Sequence, residues 1–310
     1  MPATSSQPAA APDGVPDLPE LLVVGSVALD NRDGPFGKLR EELGGSAVYF
    51  ALAASLIVPV KVSAPVGRDA VDAVRKAFEG KQIDTSLLQV LESPTYRWKA
   101  HQEHGHTVDL GSADRIYDEW KPAVPPDFDG WAFVGSMRPD RQADAMKLLH
   151  SARLLAADAM LSYIKLQPPE AKDVLGRAGW YFCNEDEFAA LGGGVPDEFR
   201  RRWWLEGLVL KAGPKGVTAH TADGSVHVPA LPDYPAFDTT GAGDAVAGGM
   251  LARWLSTGAQ RAGLQDALVC GVACASLTIE SIGVRGISSV TPKLLDERMA
   301  EVWACLKRES

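Results

Sequence analysis

Residues 237–245 read Phe-Asp-Thr-Thr-Gly-Ala-Gly-Asp-Ala and place a carboxylate directly after a glycine turn. Because Gly241 and Gly243 carry no side chain, their backbone amides can approach an anion closely. The following stretch, 245–255, is rich in helix formers, so the turn is predicted to open a helix whose unpaired amides face that anion. Asp244 would repel the anion, and its position is explained if it removes a proton from a hydroxyl held beside a phosphate.

The same turn also has simpler interpretations. Aspartate is common at helix starts, so Asp244 would serve equally as a cap. A dinucleotide-binding fingerprint begins with Gly-x-Gly, but Val246 stands where its third glycine should be, and no apolar strand precedes the turn. A Walker A loop is excluded because no Gly-Lys-Ser/Thr follows. Phosphoryl transfer and helix capping therefore remain as the two interpretations.

A second group of candidate residues lies nearer the N-terminus, where Asp30 follows a predicted strand and Gly44-Gly45 precedes an apolar stretch. Open α/β sheets bind ligands beyond the carboxyl ends of their strands, and a carboxylate there accepts hydrogen bonds from sugar hydroxyls. A glycine pair lets a ligand hydroxyl approach backbone amides, but a loop that needs positive φ before a helix would also use one. Asp69, two residues after Gly67, is interpreted as a helix N-cap.

A third group lies further along the chain, in Asn184-Glu185-Asp186-Glu187 and around Lys211. The first segment fits a capping box, and its oxygens would also suit water bound to Mg²⁺; the two roles are compatible. Gly213 and Gly216, which follow the Lys211 strand, suit a turn beside a nucleotide and a plain hairpin turn almost equally well. The histidines at 101, 104 and 106 are interpreted as surface residues, because their spacing crosses a predicted turn and no cysteine joins them.

Short apolar runs alternate with helical patterns along most of the chain, and this alternation predicts a right-handed βαβ arrangement. Strands are expected at 21–25, 60–66, 131–134, 154–157, 180–183 and 208–211, with a hairpin of 216–220 and 225–228 around Asp223-Gly224. Helices are expected at 46–58, 69–80, 245–255, 264–280 and 292–306. A second hairpin pattern within 93–112 predicts a small β lid beside the main sheet.

The composition limits the class of protein: 310 residues with 46% hydrophobic and 23% charged side chains are typical of a globular chain. The net charge of -9 argues against nucleic acid and anionic membranes as partners, because both attract basic patches. The four cysteines show no CxxC spacing, and Cys183 and Cys274 lie in apolar runs, so buried free thiols are expected.

Residues 1–19 are rich in Ala, Pro and Ser and lack the basic start and apolar core of a signal peptide. They are predicted to form a disordered tail. No apolar run in the sequence approaches membrane-spanning length, so we expect a cytoplasmic protein.

The signature that ends at Asp244 resembles that of the ribokinase (PfkB-type) carbohydrate kinase family, and the other motifs follow in family order from 21 to 306. The resemblance implies an α/β fold, a ribokinase-like doubly wound sheet with helices on both faces and a small β-sheet lid, within one kinase domain at 20–310. It implies an ATP-dependent phosphotransferase that acts on a hydroxyl of a small sugar or ribonucleoside, with Mg²⁺ and a monovalent cation such as K⁺. It also suggests a homodimer formed through the lid.

The resemblance further implies a role for each matching residue. Asp244 would be the general base, and the amides of Gly241, Ala242 and Gly243 would form the anion hole. The substrate would lie among Asp30, Gly44, Gly45, Ser46, Tyr49 and Trp98. The nucleotide would lie beside Asn184, Lys211, Gly213, Gly216 and Thr240. Asn184 and Glu187 would hold Mg²⁺ through water, and Asp238 with the loop at 281–286 would hold the monovalent cation.

One departure from the family pattern bears on the substrate. Ribokinase-like members have asparagine where this chain has Tyr49, and Ala47 replaces a glycine, so D-ribose itself is in doubt. Tyr49, Trp98, Tyr96 and Phe36 could together border a nucleobase or an apolar sugar face, or they could serve lid packing. A non-catalytic sugar or nucleotide sensor on the same fold is the alternative function, although a pure binder gains nothing from Asp244 in an anion hole.

Overall fold

The computed structural model describes residues 20–34, 37–103, 106–232 and 234–309. The tail at 1–19, Phe36 and His104 therefore lie outside the described residues.

Strands and helices alternate along the described residues as the apolar runs predict. The strands are β1 (Leu21–Val24), β2 (Ala28–Gly34), β3 (Gly37–Gly44), β4 (Val60–Gly67), β5 (Ile83–Leu91), β6 (Tyr96–Glu103), β7 (His106–Ala113), β8 (Trp131–Val134), β9 (Leu154–Asp158), β10 (Trp180–Asn184), β11 (Gly207–Lys211), β12 (Val217–Thr221) and β13 (Gly224–Val228). The helices are α1 (Ser46–Ala54), α2 (Val71–Phe78), α3 (Ile116–Glu119), α4 (Pro139–Leu148), α5 (Leu161–Leu166), α6 (Pro168–Arg177), α7 (Glu185–Ala190), α8 (Pro196–Arg202), α9 (Ala242–Ser256), α10 (Leu264–Ile279), α11 (Arg285–Ser288) and α12 (Pro292–Glu309).

The larger sheet has the strand order β13-β12-β11-β10-β9-β8-β1-β4-β5. Its neighbours from β11 to β5 pair in parallel, and β12 and β13 extend it as an antiparallel hairpin. The chain runs outward from β1 to β5 and then returns to β8 on the other side of β1. The strand order therefore reverses between β1 and β8, which is where open α/β sheets bind ligands.

Helices cover both faces of the larger sheet, because its central strands carry apolar side chains on both sides. In β1, Leu21 and Val23 face a core shared with α1, α9 and α10, whereas Leu22 and Val24 face a core shared with α4 and α6. The expected doubly wound sheet with helices on both faces is confirmed. The cysteines are also as expected, since all four side chains are buried and free.

The smaller sheet forms the lid and has the order β3-β2-β6-β7. Its β6–β7 half is the predicted hairpin, whereas the β2–β3 half was not predicted. Strands β2 and β3 are rich in charged residues and have no continuous apolar run. Neither a helical nor a strand periodicity of apolar residues therefore indicated an element there. As a consequence, Asp30 lies within lid strand β2, opposite Trp98 of β6, and not in a loop after β1.

Some element boundaries differ from the prediction. Helix α9 begins at Ala242, three residues before the expected start, so the glycine turn belongs to its first turn. Strand β5, at the edge of the larger sheet, was not predicted. Its side chains are mostly half-exposed, which leaves little apolar contrast in the sequence.

Asp69 is not the N-cap of α2, so that interpretation was wrong. Ala70 occupies the cap position without a side-chain hydrogen bond. The Asp69 carboxylate instead accepts hydrogen bonds from the amide and hydroxyl of Thr95 and pairs with Arg97 at 2.9 Å. These contacts fix the end of β4 against the start of lid strand β6.

One helical stretch in the described residues, Arg261–Ile279, is long and apolar enough to cross a membrane by length and composition alone. Of its most apolar window, 67% is buried inside the protein. Helix α10 within it packs between α9 and α12, as expected of a core helix.

Candidate active site

A cavity of about 950 Å³ lies between the lid and the carboxyl ends of the strands beside the order reversal. The strand ends contribute Ser26, Ser136, Asp158, Asn184 and Lys211 to its wall. The lid contributes Asp30, Tyr96, Trp98, Asp109 and Ser112. The cavity is therefore where the topology of the sheet predicts a ligand site.

The glycine turn closes one side of this cavity. Gly241 has a φ of +77°, and a Cβ placed on it would lie 2.3 Å from the Tyr49 ring, so only glycine fits there. Asp244 lies in the first turn of α9 and lines the cavity together with Gly241 and Gly243. The first amides of a helix have no partners inside it, and although the Ala242 amide donates to the Thr239 carbonyl at 3.3 Å, Gly241 and Gly243 line the cavity and are suited to bind an anion.

Burial and the nearby Asp158 carboxylate together raise the pKa of Asp244 to about 7, against the opposing effect of Lys211. A carboxyl group with a pKa near neutrality is suited to exchange protons with a bound hydroxyl. Lys211 pairs with Asp158 at 2.6 Å. Its ammonium also lies beneath the glycine turn, 2.9 Å from where a Cβ on Gly243 would stand.

Asp158 is a residue that the sequence analysis missed. The predicted strand ended at 157, so the carboxylate at the end of β9 carried no signal of its own. The available signal was its position directly after the predicted buried strand 154–157, because open α/β sheets bind ligands beyond the carboxyl ends of their strands.

Asn184 and Glu187 form the predicted capping box at the start of α7. The Glu187 amide donates to Asn184 Oδ1 at 2.9 Å, and the Asn184 amide donates to Glu187 Oε2 at 2.8 Å. Both side chains also line the cavity, so the structural role does not remove them from the site. Burial raises the pKa of Glu187, against the opposing effect of Lys211.

A magnesium ion fits this end of the cavity. Among the described residues, no group of three or more His, Cys, Asp or Glu side chains could hold a metal ion directly. Mg²⁺ usually keeps several waters and takes few protein ligands beside substrate phosphates. The oxygens of Asn184 and Glu187, which line the cavity, are the kind of group that such waters contact.

Asp30 is the buried carboxylate at the lid end of the cavity. Its pKa is raised to about 7, chiefly by burial, which Arg32 opposes and the Asp238 charge reinforces. Gly44 provides the space for this carboxylate, because a Cβ there would lie 2.4 Å from Asp30 Oδ2. The Gly44-Gly45 pair thus has a packing role, and of the two only Gly45 lines the cavity.

Ser46 lies at the start of α1 and is almost fully buried. Its hydroxyl donates to the carbonyl of Ser136 at 2.9 Å and accepts from the amide of Ser26 at 3.0 Å. Ser46 lines the cavity and at the same time joins the ends of β1 and β8 to α1. Its hydroxyl therefore helps to hold the strand ends at the order reversal in place.

The aromatic side chains around the cavity differ in what they offer a ligand. Tyr49 lines the cavity but is only 1% exposed, and its ring packs beneath Gly241, so it offers no open ring face for stacking. Trp98 of β6 is half-buried and lines the cavity from the lid. Tyr163 also lines it and donates its hydroxyl to Asp114 at 3.1 Å.

Some of the residues expected at the site lie outside the cavity wall. They are Gly44, Gly213, Gly216, Asp238 and Ala242. A Cβ on Gly216 would lie 2.2 Å from the Val228 carbonyl oxygen, so this glycine serves the β12–β13 hairpin. Thr240 lines the cavity, but its hydroxyl accepts a hydrogen bond from Arg32 at 2.7 Å.

Arg32 is a second residue that the sequence analysis missed. Its guanidinium, on lid strand β2, is buried and donates to the carboxylate of Asp238. Asp238 also accepts the amides of Gly283 at 2.8 Å and Thr240 at 3.1 Å. With the Arg32 guanidinium in place, a monovalent cation does not fit beside this carboxylate, because a positively charged donor already occupies the position.

Comparison with known proteins identifies the family. The profile described as pfkB family carbohydrate kinase matches residues 27–291. An ATP-dependent ribose-1-phosphate kinase of Halopiger xanaduensis is 28% identical over 247 residues, which cover 75% of this chain and 80% of that protein. A cytidine kinase of Thermococcus kodakarensis is 28% identical over 250 residues, which cover 75% of this chain and 87% of that protein.

The fold is similar to that of a Burkholderia thailandensis nucleoside kinase solved in complex with inosine. The TM-score is 0.75 at 20% identity, across 92% of this chain and 98% of that chain. The resemblance seen in the glycine turn is confirmed by these matches. The enzyme is a kinase that phosphorylates a sugar or a nucleoside, and the chain belongs to the pfkB family of carbohydrate kinases.

Proposed function

We propose that the enzyme transfers the γ-phosphoryl group of ATP to a hydroxyl of a ribonucleoside, with Asp244 as the general base. The observation that carries the proposal is the position of Asp244. It is a carboxylate with a raised pKa that lines the cavity from the first turn of α9, beside amides suited to bind an anion.

In the proposed mechanism the protein forms no covalent bond to the substrates and acts by positioning them and stabilising charge. Asp244 takes the proton from the substrate hydroxyl, whose oxygen bonds to the γ-phosphorus as ADP leaves, and the amides of Gly241 and Gly243 stabilise the charge on the phosphoryl group. Lys211 keeps its charge beneath this turn, because burial, which lowers its pKa, is outweighed by the neighbouring carboxylates. Mg²⁺, held through water by Asn184 and Glu187, would screen the phosphates.

The charges of the lid half of the cavity favour a substrate without a phosphate. Asp30, Asp109 and Asp114 line this half, whereas the basic side chain that the described residues place there, that of Lys165, is exposed. A phosphate-bearing sugar, such as the substrate of the Halopiger relative, would meet these carboxylates without an evident basic clamp. Hydroxyl and amino groups of a ribonucleoside can instead donate hydrogen bonds to them.

The lid aromatics provide the second argument for a nucleoside. Trp98 lines the cavity, and its buried Nε1 has no hydrogen-bond partner among the described residues. A nucleobase offers both a flat apolar face and acceptor atoms, so it can contact the ring and accept from the indole nitrogen. A free pentose offers a smaller apolar face and fewer acceptor atoms than a nucleoside does.

A substrate panel tests this proposal. We expect kcat/KM for ribonucleosides or polyols to exceed that for free D-ribose, and little activity on fructose phosphates, because the latter carry a phosphate into an acidic half-cavity. Saturation kinetics with ATP on ribonucleosides or polyols, on D-ribose and on fructose phosphates give the order of their kcat/KM values. A clear preference for D-ribose or a fructose phosphate would contradict the proposed substrate, and no ATP consumption with any of them would favour the non-catalytic sensor.

A second prediction separates the two roles of Glu187. Glu187→Gln keeps an oxygen for the Asn184 amide but removes the carboxyl group, whose ionised form beside Mg²⁺ would order the metal-bound water. We expect an unchanged Tm and a higher Mg²⁺ concentration for half-maximal activity. Glu185→Gln, at an exposed position of the same helix turn, is the control. If both variants keep the wild-type Mg²⁺ dependence, Glu187 acts as a helix cap only.

The cytoplasmic location and the homodimer through the lid stay predictions. Size-exclusion chromatography with light scattering tests the second, and Leu110 on the lid strand β7, which is 61% exposed, is the position at which a charge should weaken such a dimer.

A further inference from the structure

Arg32 connects the lid to the glycine turn through the interior of the protein. It lies on β2, two residues from Asp30, and its Nε is 4.0 Å from Asp30 Oδ2. Its Nη1 donates both to Asp238 and to the Thr240 hydroxyl, on the segment that leads into α9. One guanidinium therefore contacts the substrate side of the cavity and the turn proposed to bind phosphate.

The surroundings of Asp238 are arranged for a guanidinium and not for a metal ion. The carboxylate accepts from Arg32, from the Thr240 amide and from the Gly283 amide. The Gly283 amide comes from the 281–286 loop, from which the family resemblance would require oxygen ligands. Arg285 of the same loop instead donates to Glu42 of lid strand β3 at 2.7 Å.

The electrostatics are consistent with a stable internal ion pair. Burial alone would raise the pKa of Asp238, but the hydrogen bond and charge of Arg32 reverse the shift, so the carboxylate stays ionised. Burial by itself would lower the pKa of Arg32, but the hydrogen bond to Asp238 and its charge raise the pKa by more, so the guanidinium stays protonated. Both charges are thus present in the interior, where each depends on the other.

We propose that the guanidinium of Arg32 takes the place of the monovalent cation at Asp238 and holds the glycine turn in position, so that the enzyme works without K⁺. Arg32 is a positioning residue in this proposal, because it acts through Thr240 and Asp238 on the amides of the turn. A covalently attached cation has no dissociation equilibrium, so the turn stays ordered at any potassium concentration.

The wild-type protein gives the first test. We expect equal Tm and equal kcat in KCl and in tetramethylammonium chloride, each at about 0.1 M so that ionic screening is the same. The Tm comparison needs no substrate, so it remains decisive if the proposed function is wrong. A higher Tm in KCl, or activation by K⁺ at constant ionic strength, would overturn the proposal.

Variants give the second test. Arg32→Ala should lower kcat by about 10²-fold, as displaced catalytic groups do, with KCl restoring both kcat and Tm in part. Arg32→Lys should lower kcat less than Arg32→Ala does, because it keeps the positive charge, although it loses the forked contact with Asp238 and Thr240. Arg68→Ala, which removes an exposed arginine that pairs with Glu92, is the matched control, and its kcat and Tm should be the same in both salts.

The variants also have outcomes that count against the proposal. A loss in Arg32→Ala that KCl does not reverse more than tetramethylammonium chloride would show that the two cations are not interchangeable. A variant that does not fold leaves the decision to the wild-type comparison.

Discussion

Replacing Asp244 with asparagine should lower kcat by about 10²- to 10⁴-fold while the fold and the affinity for ATP are kept, because the amide cannot accept the proton of the substrate hydroxyl. The asparagine has nearly the same shape, so the first turn of α9 should be unchanged. The measurement is steady-state kinetics of the variant, together with its Tm and a direct titration with ATP.

A matched control for this variant is Asp186→Asn. Asp186 also lies in the first turn of a helix, α7, and also lines the cavity, but it is exposed. We expect its kcat to stay within a few-fold of the wild type. If the kcat of Asp244→Asn also stays within a few-fold of the wild type, Asp244 is not the general base and acts only as a helix cap.

The pH profile of the wild type provides an independent check on Asp244. A general base acts in its ionised form, and the raised pKa of about 7 places its titration near neutrality. We therefore expect kcat/KM to fall as the pH drops below about 7, and not only below about 4 where an ordinary aspartate titrates. An acidic limb near 4 would contradict the assignment of the base to Asp244.

The parts of the site that the sequence predicted share one property: their signal is local. The glycine turn that ends at Asp244 and the capping box of Asn184 and Glu187 are each contiguous, so residue type and spacing alone identify them. The central strands were predicted for the same reason, since continuous apolar runs report burial on both faces.

The parts that the sequence did not predict depend on distant residues. Arg32 meets Asp238 across 206 residues of chain, and Lys211 meets Asp158 across 53. A charged residue in a charged stretch such as β2 carries no sign that it will be buried, because its burial depends on a partner elsewhere. Tyr49 illustrates the same limit: its side chain lines the cavity, but the packing of its ring beneath Gly241 follows from how α1 packs on α9 and could not be read from the sequence.

The ion pair of Lys211 leads to the second large effect. Lys211→Met should lower the free energy of unfolding by about 3–5 kcal/mol near neutral pH, because it leaves buried carboxylates without a counter-charge. Asp158, Glu187 and Asp244 all interact with this ammonium, which lies 2.6 Å from Asp158. Asp158→Asn should cost less, because Lys211 then keeps its interaction with the other two.

The decrease in the free energy of unfolding of Lys211→Met should also depend on pH, and the pKa shifts of the neighbouring carboxyl groups determine in which direction. Burial already raises the pKa of Asp244 and Glu187 in the folded protein, and Lys211 opposes that rise. Without Lys211 both values rise further above those of the unfolded chain, so folding binds protons and stability falls as pH increases. We therefore expect the difference from wild type to be small near pH 5 and largest near pH 8.

Urea unfolding at these two pH values measures the effect, and Lys215→Met is the control. Lys215 lies four residues further along the chain and pairs with Glu185 at 3.1 Å, but both side chains are exposed, so its loss should be small at either pH. A Lys211→Met deficit that is the same at both pH values would mean that the lost contacts of the aliphatic stem, and not the lost charge, account for it. In that case Lys211 would no longer explain why Asp244 can still ionise near neutrality, and the pKa of the proposed base would have to be set by the bound substrates instead.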